Sequence, residues 1–276
     1  MTLSFLSLAH FSLAEACTAL NTGYEGYIVP VAFDPASLAR RIQAEHIDMV
    51  ASQLLRVDGQ TAGIMLIARR GRTSRLAALG ISTPLRGAGI GAQAVASAIA
   101  AARTRGDERM VLEVIDSNVK AISTYTKAGF VARRTLVGYT RDAVQPAQTE
   151  DRAVPCPADS VLPLLLDAYP KEPSWQTSPL CFAGATQPLE AFRTNDENAA
   201  ALVDASGQAV RLLAFAVRSS GQGIGRGFMH SLLERFPGRP WAISATLPAT
   251  QAAGFLTAMG WKPSALAQLE MELPLG

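Results

Sequence analysis

The chain has 276 residues, room for about two domains of ordinary size. Its 49% hydrophobic content against 17% charge supports substantial cores and excludes general disorder. Twenty-five basic against 23 acidic residues leave a net charge of +2, which gives no case for bulk electrostatic binding to nucleic acid or an anionic membrane.

Met1 to Cys17 is apolar, but no Lys or Arg precedes Arg40 and Glu15 interrupts the run, so the basic start of a signal peptide is missing. No stretch reaches the roughly 20 apolar residues of a membrane helix. A cytoplasmic protein is expected. Leu3 to Leu8 reads as a strand. Ser12 with Glu15 makes a capping box for a helix to about Leu20, which Asn21-Thr22-Gly23 stops. Tyr24 to Pro30 is a loop with two aromatic rings and the carboxylate of Glu25. Asp34-Pro35 starts a second helix, to about Glu45.

Ala51–Val57 and Thr61–Ala68 are β-like runs joined by Asp58-Gly59-Gln60, a hairpin signal. A third run, Arg75 to Thr83, closes an antiparallel meander. Next come a small-residue helix from Gly89 to Arg105, a strand Met110–Ile115, a helix from Asn118 to Ala128, and a strand from Phe130 to about Thr140. Asp142 to Asp159, rich in Pro, Ala, Gln and charge, is the expected linker. It divides a domain over 1–145 from one over 146–276.

The second half repeats the plan. Val161–Tyr169 is helical and Pro170–Pro188 loop-rich. Strands Ala199–Val203 and Val210–Val217 flank a turn. A glycine-led helix runs to Arg235, then a strand Trp241–Thr246, a helix Thr250–Met259 and a strand Leu266–Leu273. Gly-x-Gly-Ile-Gly stands at 87–91 and again at 221–225. Each copy is followed by a helix, a strand and a helix ending in Gly129-Phe130 or Gly260-Trp261. The shared order implies a duplicated domain.

Three cysteines (Cys17, Cys156, Cys181) and three histidines lie far apart with no clustered spacing, so neither a disulfide framework nor a metal site is expected. The chemistry gathers at Arg86-Gly87-Ala88-Gly89-Ile90-Gly91. Three alternate glycines ahead of a helix leave backbone N–H groups free to face an anion, and the helix dipole favours it. The loose dinucleotide pattern fits, but the loop follows a meander and not the first strand of a parallel βαβ unit.

With Leu79-Gly80-Ile81-Ser82-Thr83-Pro84 before it, this loop resembles the acetyl-CoA motif of the GNAT superfamily of N-acetyltransferases. Leu112 to Phe130 resembles that family's second motif, most closely in the subset that acetylates N-termini of ribosomal proteins. The resemblance implies an α/β (α+β) fold with two tandem GNAT-like domains. Each would be a mixed, largely antiparallel sheet flanked by helices, with a V-shaped split. It also implies acyl-donor contacts from Leu79, Gly80 and Ile81, from Arg86, Gly87, Ala88, Gly89, Ile90, Gly91 and Ala92, and from Asn118. Tyr125 matches the acid that protonates the leaving thiolate, two helical turns after Asn118. Glu113 matches a base, with Glu25 a second candidate and a merely salt-bridged glutamate the plainer reading. Tyr24 and Tyr27 suit an acceptor pocket; Trp175, Trp241 and Trp261 suit the core.

In the second half Ser220 stands for Arg86, Ala249 for Asn118 and Leu256 for Tyr125, so that half reads as degenerate and non-catalytic. The expected function is transfer of acetyl from acetyl-CoA, as acyl-donor substrate, to a primary amine. The expected partners are acetyl-CoA and an amine acceptor, without metal, nucleic acid or membrane, and the protein a monomer or homodimer. A CoA-binding sensor or assembly protein without turnover is the rival reading, and a nicotinamide-cofactor enzyme the weaker third.

Overall fold

A computed structural model describes residues 2–30, 32–143, 152–169, 172–183, 189–219 and 221–276. In chain order the elements are β1 (Leu3–Ser7), α1 (Leu13–Gly23), α2 (Pro35–Glu45), β2 (Gln53–Val57), β3 (Gln60–Arg70), β4 (Thr73–Ile81), α3 (Ile90–Thr104), β5 (Arg109–Ile115), α4 (Val119–Lys127) and β6 (Val131–Arg141). There follow β7 (Val154–Cys156), α5 (Leu162–Ala168), β8 (Leu189–Arg193), β9 (Ala199–Asp204), β10 (Val210–Val217), α6 (Ile224–Glu234), β11 (Trp241–Pro248), α7 (Ala253–Ala258) and β12 (Lys262–Pro274). They fall into two units, Met1–Arg134 with Leu269–Gly276, and Thr135–Gln268. Strands β6 and β12 contribute residues to both.

In the first unit β1 to β4 form an antiparallel meander. Asp58 and Gly59 make its first tight turn, both at positive φ (48° and 80°), the backbone a two-residue hairpin turn requires. β5 pairs with β4 in parallel, but only from Thr73↔Arg109 to Leu76↔Leu112. At that point the β3–β4 register slips: Ile67 faces Leu76 and Leu66 faces Ala78, so Ala77 is a bulge. Bulges bend the strand that carries them. Beyond it β4 continues along β3 to Ile81, β5 continues to Ile115, and the two separate into a V-shaped split.

On the far side of β5 comes β12 and then β6. The chain's last residues therefore complete the first unit: the Leu275 N–H donates to the Glu108 carbonyl at 2.9 Å. Met271, Leu273 and Leu275 join one buried cluster with Ile90, Ala94, Val95, Ala98, Ile99 and Ala102 of α3, and with Leu76, Leu112 and Phe130. The apolar stripe of α3 is the packing face its sequence spacing predicts.

In the second unit the order is β6-β11-β10-β9-β8-β7. β10 and β11 pair in parallel only for Val210↔Trp241 and Arg211↔Ala242 before separating. Phe228, Met229, Leu232 and Leu233 of α6 pack with Trp241, Leu256 and Trp261. Each unit thus has the expected mixed, largely antiparallel sheet strands flanked by helices, with a parallel pair that separates.

Several local expectations need correction. α1 runs on through Asn21-Thr22-Gly23. The Asn21 amide does not end it, because that side chain bonds both the N–H and the carbonyl of Phe33 at 2.9 Å. Strands β7 and β8 were not expected. β7 carries Pro155 at a sheet edge, where a missing N–H costs no ladder bond. α7 begins at Ala253, three residues after the expected start; its N-cap, Ala252, has no side-chain acceptor to offer. Of the expected linker, residues 144–151 lie outside the described residues. Among those described, no helix is long and apolar enough to cross a membrane.

Candidate active site

The glycine loop begins where β4 ends. Gly87 and Gly89 take φ of 84° and 82°, and Gly89 is the N-cap of α3 with no side-chain cap. The N–H groups of residues 87 to 92 find no acceptor among the described residues; Gln93 is the first, donating to the Gly89 carbonyl at 3.1 Å. A Cβ placed on Gly87, Gly89 or Gly91 would meet nothing within 4 Å. Six consecutive donors at a helix N-terminus, with open space before them, suit a pyrophosphate.

The Arg86 side chain also bonds protein carbonyls. Its Nε donates to the Ile81 carbonyl at 2.9 Å, and its Nη2 to the carbonyls of Gly23 and Glu25 at 3.1 and 2.6 Å. It ties the end of α1 and the aromatic loop to the end of β4. The Glu25 carboxylate is exposed.

Leu79, Gly80 and Ile81 pair with Met65, Ile64 and Gly63 on one side and face the split on the other. The Leu79 N–H lies toward the Tyr24 phenol. Alternation along the strand gives the Ile81 N–H the same open side. α1 reaches this edge by close backbone contact: a Cβ on Gly23 would lie 2.7 Å from the Gly80 carbonyl carbon.

Asn118 caps α4, its Oδ1 accepting from the Ala121 N–H at 3.2 Å. Ala121, Ile122 and Tyr125 form one face of α4 against the core. The Tyr125 ring meets Phe130 edge-on at 6.0 Å. Its hydroxyl has no hydrogen-bond partner among the described residues. Burial raises its pKa well above the ordinary phenol value, and the phenols of Tyr24 and Tyr27 add to the rise. Tyr24 and Tyr27 meet edge-on at 4.9 Å. Loop and helix thus bring three phenols to the split.

Glu113 is the first residue of β5 past the last pair with β4. Its side chain is 3% exposed, and its Oε2 accepts from Arg75 Nε at 2.6 Å. Arg75 Nη1 donates to Glu45 Oε2 at 2.6 Å, and Glu45 Oε1 accepts from Arg41 Nε at 3.1 Å. Oε1 of Glu113 is buried and has no partner among the described residues. Burial raises its pKa, Arg75 opposes the rise, and Glu45 and Glu270 add to it. The ion pair ties Glu113 down by one oxygen only. Neither the Arg75 bridge from Glu113 to Glu45 nor the hold of Arg86 on Gly23 and Glu25 was legible in the sequence, since partners 30 to 63 residues apart leave no spacing signal.

The second unit repeats the loop. Gly221 and Gly223 have φ of 87° and 75°, and Gly223 caps α6. The space beyond it differs. A Cβ on Gly225 would sit 3.2 Å from Val217 Cγ2, with Phe255 and Phe215 at 3.7 and 3.8 Å. Those two rings stack at 5.6 Å. Leu256, standing for Tyr125, is buried in the core, and Ala249 precedes the shortened α7. Ser220, standing for Arg86, lies outside the described residues. Trp175, Trp241 and Trp261 are buried, as expected of core residues.

Residues 16–130 match the acetyltransferase (GNAT) family. No curated protein matches the chain significantly. Among solved structures, a tandem GNAT protein from the clavulanic acid biosynthesis pathway is 13% identical with a TM-score of 0.71, covering 100% of this chain and 99% of its own. A GCN5-related N-acetyltransferase from Sphaerobacter thermophilus is 14% identical with a TM-score of 0.69, covering 99% and 96%. A putative acetyltransferase from Pyrococcus horikoshii is 12% identical with a TM-score of 0.66, covering 99% and 89%. At these identities the likeness is one of fold, and it extends over both units.

Proposed function

We propose, from the premise that residues 16–130 form a domain of the acetyltransferase (GNAT) family, that this chain is an N-acetyltransferase. It moves acetyl from acetyl-CoA to a primary amine of a small molecule or peptide by direct attack. The reading rests most on the six N–H groups at 87–92 that have no acceptor among the described residues, in a loop that follows directly on β4, whose core Tyr125 also packs against.

In this reading the loop N–H groups and the dipole of α3 take the pyrophosphate. Leu79, Gly80, Ile81 and Asn118 hold the acyl-carrying arm. The Ile81 N–H donates to the carbonyl oxygen as negative charge gathers there. The Tyr125 phenol, kept protonated by burial, donates its proton to the departing sulfur. Glu113 receives the proton of the attacking amine at Oε1, through a water because that oxygen is buried. Residues 1–145, with 269–276 completing their core, are the working domain and the remainder of 146–276 the degenerate one, in which Phe215 and Phe255 stack beside Gly225.

The test is calorimetry with acetyl-CoA, followed by thiol release with a broad panel of amines. No binding sinks the proposal. Binding without any turnover favours a CoA-binding sensor or assembly protein instead.

A further inference from the structure

Glu113 is surrounded by charge from elements other than its own. From β4 comes Arg75, its side chain 3% exposed and bonded to Glu113 and Glu45 at 2.6 Å each. From α2 come Glu45 and, beyond it, Arg41. From β12 comes Glu270, its side chain 4% exposed, whose Oε2 accepts from Arg134 Nε at 2.6 Å and lies 3.8 Å from Arg133 Nη1. From the aromatic loop comes Tyr24, within electrostatic reach of Arg75 and Arg41. One buried guanidinium is therefore shared between two carboxylates, with a third carboxylate nearby that has its own arginines.

We propose that Arg75 is the positioning residue for Glu113, and that Glu45, which shares the same guanidinium, governs how firmly Arg75 holds it. This rests on the reading of Glu113 as the base. Arg75 fixes Oε2 and leaves Oε1 alone to act. Its charge favours the carboxylate, while that of Glu45, bonded to the same guanidinium, favours the acid. Burial magnifies both, because little water screens them. The division of labour follows from position. Glu113 sits where β5 leaves β4, so its orientation depends on a partner reaching across from the strand it has parted from. Glu45 is the last residue of α2, which lets that helix end adjust the site without touching it.

The experiment is a carbon-13 NMR titration of glutamate-labelled protein, with the Glu113 carboxyl assigned by Glu113→Gln. Arg75→Met should move the Glu113 midpoint up by about one to three pH units, the usual effect of losing a close opposite charge. Glu45→Gln should move it down, and Arg75→Lys should stay near the wild type. Should Arg75→Met fail to fold, Glu45→Gln decides alone, since that carboxylate is the more exposed of the pair. Midpoints that coincide with the wild type overturn the proposal whatever the activity. A Glu113→Gln enzyme with wild-type kcat on an amine from the panel overturns the base reading, and this proposal with it, even if the midpoints move.

Discussion

Gly23 and Gly80 touch backbone to backbone. A Cβ on Gly23 would fall 2.7 Å from the Gly80 carbonyl carbon and 2.9 Å from its Cα and oxygen. A Cβ on Gly80 would meet the Tyr24 ring at 2.9 Å and the Gly23 carbonyl carbon at 3.1 Å. Backbone cannot rotate away, whereas a ring can. Gly23→Ala should therefore destabilise by about 1–3 kcal/mol, the range for overpacking, and Gly80→Ala by less. Denaturant unfolding of both variants checks the ranking, and the reverse order would refute it.

The two glycine loops should answer differently to the same methyl. Gly91→Ala puts a Cβ into open space, so it should cost no stability yet weaken acetyl-CoA binding about tenfold, or about 1.4 kcal/mol. Gly225→Ala crowds Val217 and should leave acetyl-CoA binding unchanged. Calorimetry should count one acetyl-CoA per chain. Two sites, or a binding defect in Gly225→Ala, would contradict the reading of the second half as degenerate.

Tyr125→Phe removes a hydroxyl without a protein partner. Its folding stability and acetyl-CoA affinity should match the wild type, while kcat falls by about a hundredfold or more, the usual share of a general acid. A kcat within twofold of the wild type would take Tyr125 out of the mechanism.

Asp107 supplies a pH-dependent part of the first unit's stability. Its side chain is 1% exposed. Burial pushes its pKa up, but the Ser74 hydroxyl, Arg105 and Arg69 outweigh that and hold it below the ordinary Asp value. A carboxyl with a depressed folded pKa stabilises above the unfolded value of about 3.9. That stabilisation is lost as pH falls through the folded one. Asp107→Asn should therefore cost on the order of 2 kcal/mol at neutral pH, and the gap to the wild type should close below about pH 4. Unfolding midpoints measured from pH 7 to 3 check this; a gap constant with pH would exclude the linkage.

What could be read from the sequence is local. Ser12 with Glu15, Asp34 with Pro35 and Asp58 with Gly59 each carry their structure within a few residues, and each stands where expected. Gly87 and Gly89 likewise announce their positive φ. What was missed is relational. Nothing near Leu269 says that its strand joins the sheet of the first unit. Nothing near Arg75 says that it bonds Glu113 and Glu45. Arg86 looks like an anion ligand from its neighbours in sequence, but the three carbonyls it holds come from Gly23, Glu25 and Ile81. The crowding behind the second glycine loop depends on Phe215 and Phe255, which are ordinary apolar residues until their rings are seen together.

The completion of the first unit by residues 269–276 bears on the order of events at the ribosome. Domains generally fold as they emerge, the earlier one first. Here the earlier one lacks Met271, Leu273 and Leu275 until all of Thr135–Gln268 has been made. At about 5–20 residues per second that delay is on the order of ten seconds. Throughout it, β5 presents an unpaired edge and a cluster of apolar side chains without their lid. The segment that matches the acetyltransferase family is thus made before the residues that complete its core, and a nascent chain stalled in the second unit would carry the glycine loop over a core still lacking Met271, Leu273 and Leu275.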